Sequence, residues 1–209
     1  TGRGADYSGG IVYASDLEGK ITKVNLTNLS SDINNNQNLT FKPSTGAVDT
    51  TTLFKVGSTK ANGRYMYHPM DVAIGKSTNN LWLFAGTGDS QRLNDRSSGT
   101  DNLLIGIQDP DYPYYGAVAN PSSADDISDC KDTSNDSTGK HCPTAAHRGW
   151  YIKLKDYGKV TAEPTVNNGL VYFPTYTPSK SANKCDLGLS LIHISEPTRQ
   201  EAISYAVFW

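Results

Sequence analysis

Residues 10–16, GIVYASD, with the turn residues 17–20, LEGK, and residues 21–26, ITKVNL, decide the fold of this 209-residue chain. The first stretch is rich in β-branched and aromatic residues, which favour strands. The last stretch alternates apolar with polar residues, as expected of a half-exposed strand. The short turn with its glycine joins the two directly. The sequence therefore predicts a β-hairpin here.

The same unit recurs further along the chain. Each copy has a polar or glycine-containing turn, a run of β-forming residues and a small or polar exit. The copies are residues 9–19, GGIVYASDLEG, residues 79–89, NNLWLFAGTGD, and residues 167–177, NNGLVYFPTYT. Recurrence of short strands at intervals of tens of residues is typical of β-propellers. The fold class is predicted to be all-β and a partial propeller with long inserted loops, with a β-sandwich as the alternative.

Further strands are predicted at residues 51–56, 70–74, 103–107, 150–154 and 160–162. Residues 70–74, 81–85 and 103–107 are expected to share one sheet. Residues 150–154, 160–162 and 170–175 are expected to form another, with Asn167, Asn168 and Gly169 as a turn. The long polar stretch 109–147 has almost no apolar residues, and we expect it to be a functional or inserted surface loop.

Composition excludes some partners. The formal net charge is −2, and 19% of the residues are charged, so nothing indicates binding to nucleic acid or to an anionic membrane. No apolar run approaches the length of a membrane-spanning helix. The nineteen Gly and twelve Tyr fit a loop-rich β protein.

The last residues, 189–209, LSLIHISEPTRQEAISYAVFW, break from the composition before them. They resemble the translation of a transposase-type sequencing-library adaptor, whose constant parts encode residues 189–199 and 203–208. A short index sequence fills the three codons between these parts. Only Trp209 differs from the translated adaptor, which has Cys at that position. The alternative is a native amphipathic helix closing the domain. We therefore expect a native domain over residues 1–188 and a non-native tail over residues 189–209.

A family resemblance rests on an ordered set of segments. They are residues 12–19, VYASDLEG, 84–89, FAGTGD, 104–109, LIGIQD, 149–154, GWYIKL, 160–166, VTAEPTV, and 169–178, GLVYFPTYTP. The set resembles the C-terminal domain of the PilY1/PilC family of type IV pilus proteins, from residue 11 to about residue 188. That domain is a modified, quinoprotein-like β-propeller.

This resemblance implies a non-enzymatic, exported protein at the outer membrane surface or pilus tip. Its function would be type IV pilus biogenesis and adhesion, with pilins, minor pilins and a surface receptor as partners. The chain would be a few blades of a larger propeller in a longer protein. The alternative is a propeller fragment of a quinoprotein dehydrogenase that binds pyrroloquinoline.

Calcium is the one cofactor that the resemblance suggests, because related propellers carry an acidic loop before the VYAGD-like strand. In the corresponding residues 1–10 only Asp6 is acidic, so Asp6 is the candidate ligand. A second acidic stretch, residues 125–136, is rich in oxygen ligands but lacks the EF-hand spacing. A solvated acidic loop is the alternative there.

The cysteines predict a disulfide. Cys130 and Cys142 flank an eleven-residue polar loop in a chain placed outside the cytoplasm, and a bridge would stabilise that loop by about 2–4 kcal/mol. Free thiols are the alternative, and a zinc site with His141 and His147 is a further competitor, although its spacing is loose. Cys185 is left over, and its partner is expected outside this sequence.

No catalytic residue is predicted. His68, Asp89 and Ser90 can be drawn as a triad, but no GxSxG elbow surrounds the serine. Gly86-Thr87-Gly88 lacks the phosphate-loop pattern. We interpret these residues as structural.

Overall fold

The structure is a computed structural model. It describes residues 10–27, 48–56, 63–75, 80–96, 101–116, 125–126, 148–181, 186 and 188–195. All regular elements in these ranges are strands. They are β1 (Ile11–Ser15), β2 (Lys20–Asn25), β3 (Asp49–Lys55), β4 (Asp71–Ile74), β5 (Leu81–Gly86), β6 (Leu103–Asp109), β7 (Asp125–Asp126), β8 (Gly149–Lys153), β9 (Lys159–Val160), β10 (Thr165–Asn167), β11 (Leu170–Thr177) and β12 (Leu189–Ser195).

The strands form three sheets. The first sheet has the order β1-β2-β3 and the second the order β4-β5-β6-β8-β7. The third has the order β10-β11-β12, and β9 also pairs with β11. Every pairing is antiparallel except that of β7 with β8. The all-β prediction is confirmed.

Two hairpins follow from local turn chemistry. In the first, Gly19 has a φ of 72°, and the amides of Glu18 and Lys20 both donate to the Asp16 carboxylate at 2.9 Å. In the second, Asn168 and Gly169 have φ values of 52° and 81° between β10 and β11. Positive φ at both central residues is the requirement of a type I′ turn, which Asn-Gly satisfies. The predicted hairpin over residues 10–26 and the predicted turn at residues 167–169 are both present, whereas β10 was not among the predicted strands.

The core lies in two layers on either side of the second sheet. The first layer joins Ile21 and Leu53 of the first sheet to Leu83 and Ile105 of the second. The other layer is more aromatic. It includes Phe84, Leu104, Trp150, Val171 and Phe173, and so joins the second sheet to the third.

Strands β5 and β6 are consequently buried on both faces. Along β5, Leu83 contributes to the first core layer and Phe84 to the second. Such strands read as continuous apolar runs, which explains LWLFAG and LLIGI. The sheets therefore stack in chain order with the second sheet in the middle.

Two expectations and one alternative interpretation differ from the structure. Residues 149–153 form β8, which pairs with β6, so they belong to the second sheet and not to the third. The stretch 109–147 includes the short strand β7. Residues 189–195 form β12 and are not the helix of the alternative interpretation, because they pair in an extended conformation with the edge of β11. The non-native origin of residues 189–209 stays a prediction.

Candidate functional site

The most unusual polar group in the described residues is a buried ion pair between two sheets. Lys23 lies on β2, and Asp109 ends β6. The Lys23 Nζ is 2.7 Å from the Asp109 Oδ2, and both side chains are fully buried. A charge removed from water in this way requires a countercharge and hydrogen bonds.

The neighbours of the pair supply those hydrogen bonds. The Tyr13 hydroxyl donates to the Asp109 Oδ2 at 2.5 Å, and the Asp111 amide donates to the Oδ1 at 3.1 Å. The Lys23 ammonium also donates to the Tyr114 carbonyl at 2.9 Å and lies 5.5 Å from the centre of the Tyr115 ring. Burial, and then the hydrogen bond to Asp109, raise the pKa of Tyr13, so its hydroxyl stays protonated.

This network fixes the start of the long loop. Residues 109–115 leave β6 and are held to the β1–β2 hairpin by contacts at Asp109, Tyr114 and Tyr115. The carboxylate accepts from an ammonium, a hydroxyl and an amide, so its oxygens are engaged in structural contacts. Its role is to position the loop rather than to transfer protons.

A second buried cation anchors the segment after β5. Lys159, on β9, donates from its Nζ to the carbonyls of Leu93 at 2.9 Å, Asp95 at 2.7 Å and Tyr157 at 3.4 Å. Burial lowers the pKa of Lys159, and the nearby Asp95 and Asp89 oppose that change. The ammonium thus joins residues 93–95 to the third sheet.

Further contacts hold the same segment. The Tyr176 hydroxyl donates to the Asn94 Oδ1 at 2.8 Å. The Arg96 guanidinium donates to the Ser179 carbonyl at 3.1 Å and lies 5.7 Å from the centre of the Tyr157 ring. The segment that follows β5 is therefore held to the third sheet at several points.

The three residues of the triad that we considered do not assemble as one. The His68 Nε2 and the Ser90 Oγ are 3.0 Å apart. The Asp89 carboxylate instead accepts from the Arg92 Nε at 2.7 Å and from the Gln91 amide at 3.0 Å. The acid that would orient the histidine is thus engaged elsewhere.

The predicted metal and disulfide residues lie outside the described residues. This applies to Asp6, Cys130, Cys142, Cys185, His141 and His147. Of the acidic stretch 125–136, only the backbone of Asp125–Asp126 is described. In the part of the chain that the structure describes, no three His, Cys, Asp or Glu side chains converge as metal ligands. Calcium and the disulfide stay predictions.

Sequence reasoning missed the buried ion pair. The alternation in residues 21–26 placed Lys23 among the exposed positions of a half-exposed strand. In the structure Ile21, Lys23 and Asn25 are buried on one face of β2. The available signal was the position of Lys23 two residues after Ile21. Side chains two residues apart in a strand share a face, and Ile21 has to face the core, so Lys23 faces it too. The partner, Asp109, gives no local signal, since it is distant in sequence.

Comparison with known proteins agrees with the sequence resemblance. No family model matches the chain. The chain is 25% identical over 193 residues to a protein of Xylella fastidiosa described as a type IV pilus biogenesis factor PilY1 homolog. The match covers 88% of this chain but only 13% of that relative.

A solved structure shares the fold. The crystal structure of the Pseudomonas aeruginosa PilY1 C-terminal domain superimposes with a TM-score of 0.57 at 11% sequence identity. The superposition covers 92% of this chain and 44% of that domain. The chain is therefore similar in sequence to a PilY1 homolog, and its fold is that of a PilY1-type C-terminal domain.

Proposed function

We propose that this chain is a β-propeller module of a type IV pilus biogenesis factor, exported to the cell surface or periplasm. The similarity to the PilY1 homolog over 88% of the chain carries this proposal. No helix in the described ranges is long and apolar enough to cross a membrane.

The module would act as a non-enzymatic scaffold that presents a loop. Strands β6 and β8 belong to a sheet that is packed on both faces, and together they hold the two ends of residues 110–148. The Lys23–Asp109 pair fixes the first of these ends. Binding residues are often found on loops that a rigid scaffold positions. The partners would be pilins, minor pilins and a surface receptor, and adhesion would be a second function.

Deletion of the gene tests the proposed role in piliation. In the source organism we expect loss of surface pili, with restoration by the complete gene. A normally piliated deletion strain would sink the proposal. Binding of pyrroloquinoline to the complete protein would instead favour the quinoprotein alternative.

A loop replacement then tests the proposed mechanism. In the complete gene, residues 127–147 are exchanged for a short Gly-Ser linker, which leaves the Lys23–Asp109 anchor and strand β7 intact. We expect normal export and protein level but loss of piliation or adhesion. The matched control carries the same linker in place of residues 76–79, between β4 and β5. Equal activity of the two variants would show that the long loop is not the binding element.

A further inference from the structure

The buried Lys23–Asp109 pair lies in a setting in which an ammonium and a carboxylate can condense. Both side chains are fully buried, and the Lys23 Nζ is 2.7 Å from the Asp109 Oδ2. Since Oδ2 is bonded to the carboxyl carbon, the Nζ lies within about 4 Å of that carbon, near the roughly 3–3.5 Å of a near-attack geometry. The two groups belong to different sheets, so the packing of the sheets supplies their proximity.

Burial removes the main obstacle to condensation. In water both ions are stabilised by hydration, and an ammonium has no free electron pair with which to attack a carboxyl carbon. A buried pair loses that hydration, and transfer of one proton within it leaves a neutral amine and a neutral acid. The amide that these two groups form carries no charge, so the reaction ends the cost of keeping two charges out of water.

The neighbours of the pair match the needs of the reacting atoms. The Tyr13 hydroxyl donates to the Oδ2, which is the oxygen that has to leave. The Asp111 amide donates to the Oδ1, the oxygen on which negative charge develops in a tetrahedral intermediate. The Tyr114 carbonyl accepts a hydrogen of the Lys23 Nζ and so fixes the direction of the nitrogen.

The residue after Asp109 blocks a common competing reaction. An aspartate side chain can be attacked by the backbone nitrogen of the next residue, which closes a five-membered imide. The next residue here is Pro110, whose nitrogen carries no hydrogen. The Asp109 carboxyl carbon is therefore protected from that cyclisation.

We propose that Lys23 and Asp109 condense to an isopeptide bond that joins β2 to the end of β6. The ion pair is the state before this reaction. The ammonium first passes one proton to the Oδ2, and the neutral Nζ then attacks the carboxyl carbon. The bond from that carbon to the Oδ2 breaks, and the Oδ2 takes a second proton from the Tyr13 hydroxyl and leaves as water. Tyr13 recovers its proton from the nitrogen.

The reaction is balanced without a co-reactant, because one ammonium and one carboxylate give one amide and one water. Lys23 is the nucleophile, Asp109 the electrophile and Tyr13 the proton donor. The bond would fix the first end of residues 110–148 covalently. The proposal rests on the described contacts of the pair and does not depend on a role in piliation.

Peptide mapping of the complete protein tests the proposal. The protein is isolated in its folded state, reduced and digested with trypsin. We expect one branched peptide whose mass is that of the Lys23 and Asp109 peptides together, less one water. Tandem mass spectrometry should place the link between these two residues, and trypsin should not cleave after Lys23, because its side chain no longer carries an ammonium.

Two exposed ion pairs in the same chain are the internal control. Lys180 lies beside Asp156, and Lys20 lies beside Glu18. These charges are hydrated, so we expect the peptides that contain them to be unmodified.

Two variants separate the chemistry from the packing. Lys23→Arg keeps the positive charge, but its guanidinium stays charged and is no nucleophile, so no branched peptide should form. Tyr13→Phe keeps the ring and removes the proton donor. In pulse-labelled protein we expect it to form the bond at least about tenfold more slowly than the wild type. Tryptophan fluorescence reports whether each variant is folded.

Three results would overturn the reasoning. If the folded wild type yields Lys23 and Asp109 only in separate, unmodified peptides, the bond does not form. If the branched peptide appears equally in chains kept in urea, or if Lys20 and Lys180 are joined to the same extent, the fold does not direct the condensation. If folded Tyr13→Phe forms the bond at the wild-type rate, the hydroxyl is not the proton donor.

Discussion

Replacement of Lys23 by Met tests whether the buried ion pair holds the first two sheets together. Met nearly preserves the shape of the side chain but removes the ammonium that lies 2.7 Å from the Asp109 Oδ2. The carboxylate keeps the Tyr13 hydroxyl and the Asp111 amide but loses its countercharge. Removing one partner of a fully buried pair costs about 3–5 kcal/mol. That is a large share of the roughly 5–15 kcal/mol by which a domain is stable.

Urea unfolding followed by tryptophan fluorescence measures this loss, because Trp82 and Trp150 are both buried. For a slope of about 2–3 kcal/mol per molar urea, the midpoint falls by about 1–2.5 M. The double variant Lys23→Met with Asp109→Asn removes the stranded charge. We expect it to recover part of the lost stability.

The matched control is Lys20→Met on the same strand, which breaks the exposed pair between Lys20 and Glu18 of the preceding turn. Exposed pairs contribute little, so we expect its midpoint to stay at the wild-type value. If Lys23→Met lowers the midpoint no more than this control, the buried pair does not hold the two sheets together. If the double variant is no more stable than Lys23→Met, the uncompensated Asp109 charge is not the cause of the lost stability.

Three further predictions concern the second and third sheets. Burial lowers the pKa of His193, so the unfolded chain binds this proton at higher pH than the folded chain does. The contribution of neutral His193 to stability is therefore present above about pH 6.5 and declines as the pH falls below that value. We expect His193→Gln to lessen this decline when urea midpoints are measured against pH. A Cβ at Gly106 would overlap the indole of Trp150, so Gly106→Ala should cost about 1–3 kcal/mol in urea unfolding, and an unchanged midpoint would contradict the packing of the central sheet. Lys159→Met leaves the carbonyls of Leu93 and Asp95 without their ammonium donor. Hydrogen exchange should therefore accelerate in residues 89–96 and stay unchanged in β1 and β2. Equal exchange of residues 89–96 in the wild type and the variant would contradict the anchoring role.

The sequence predicts the strands well where the signal is local. The hairpin at residues 10–26 and the Asn168-Gly169 turn depend on neighbouring residues, and both are present. The apolar run of β5 predicts a strand, but burial on both faces becomes visible only when the third sheet is packed against it.

The sequence does not predict which distant strands pair. Residues 149–153 lie nearer in the chain to β9 than to β6, and this proximity suggested the wrong sheet. The pairing with β6 instead places Trp150 beside Gly106 in the aromatic core layer. The Lys23–Asp109 pair could not be predicted for the same reason. Its two residues are far apart in sequence and meet only when the sheets stack.

The pairing of β6 with β8 has a consequence for how this protein can change over evolutionary time. Leu103 lies opposite Lys153, and Ile107 lies opposite Gly149, so both ends of the intervening polar loop are fixed by one ladder. The entropy cost of closing a flexible loop grows only with the logarithm of its length, and doubling the length costs about 0.6 kcal/mol. Descendants of this gene can therefore gain or lose long stretches between β6 and β8 at little cost in stability. Selection can thus vary the loop between β6 and β8 freely, although the sheet holds both ends of this loop firmly.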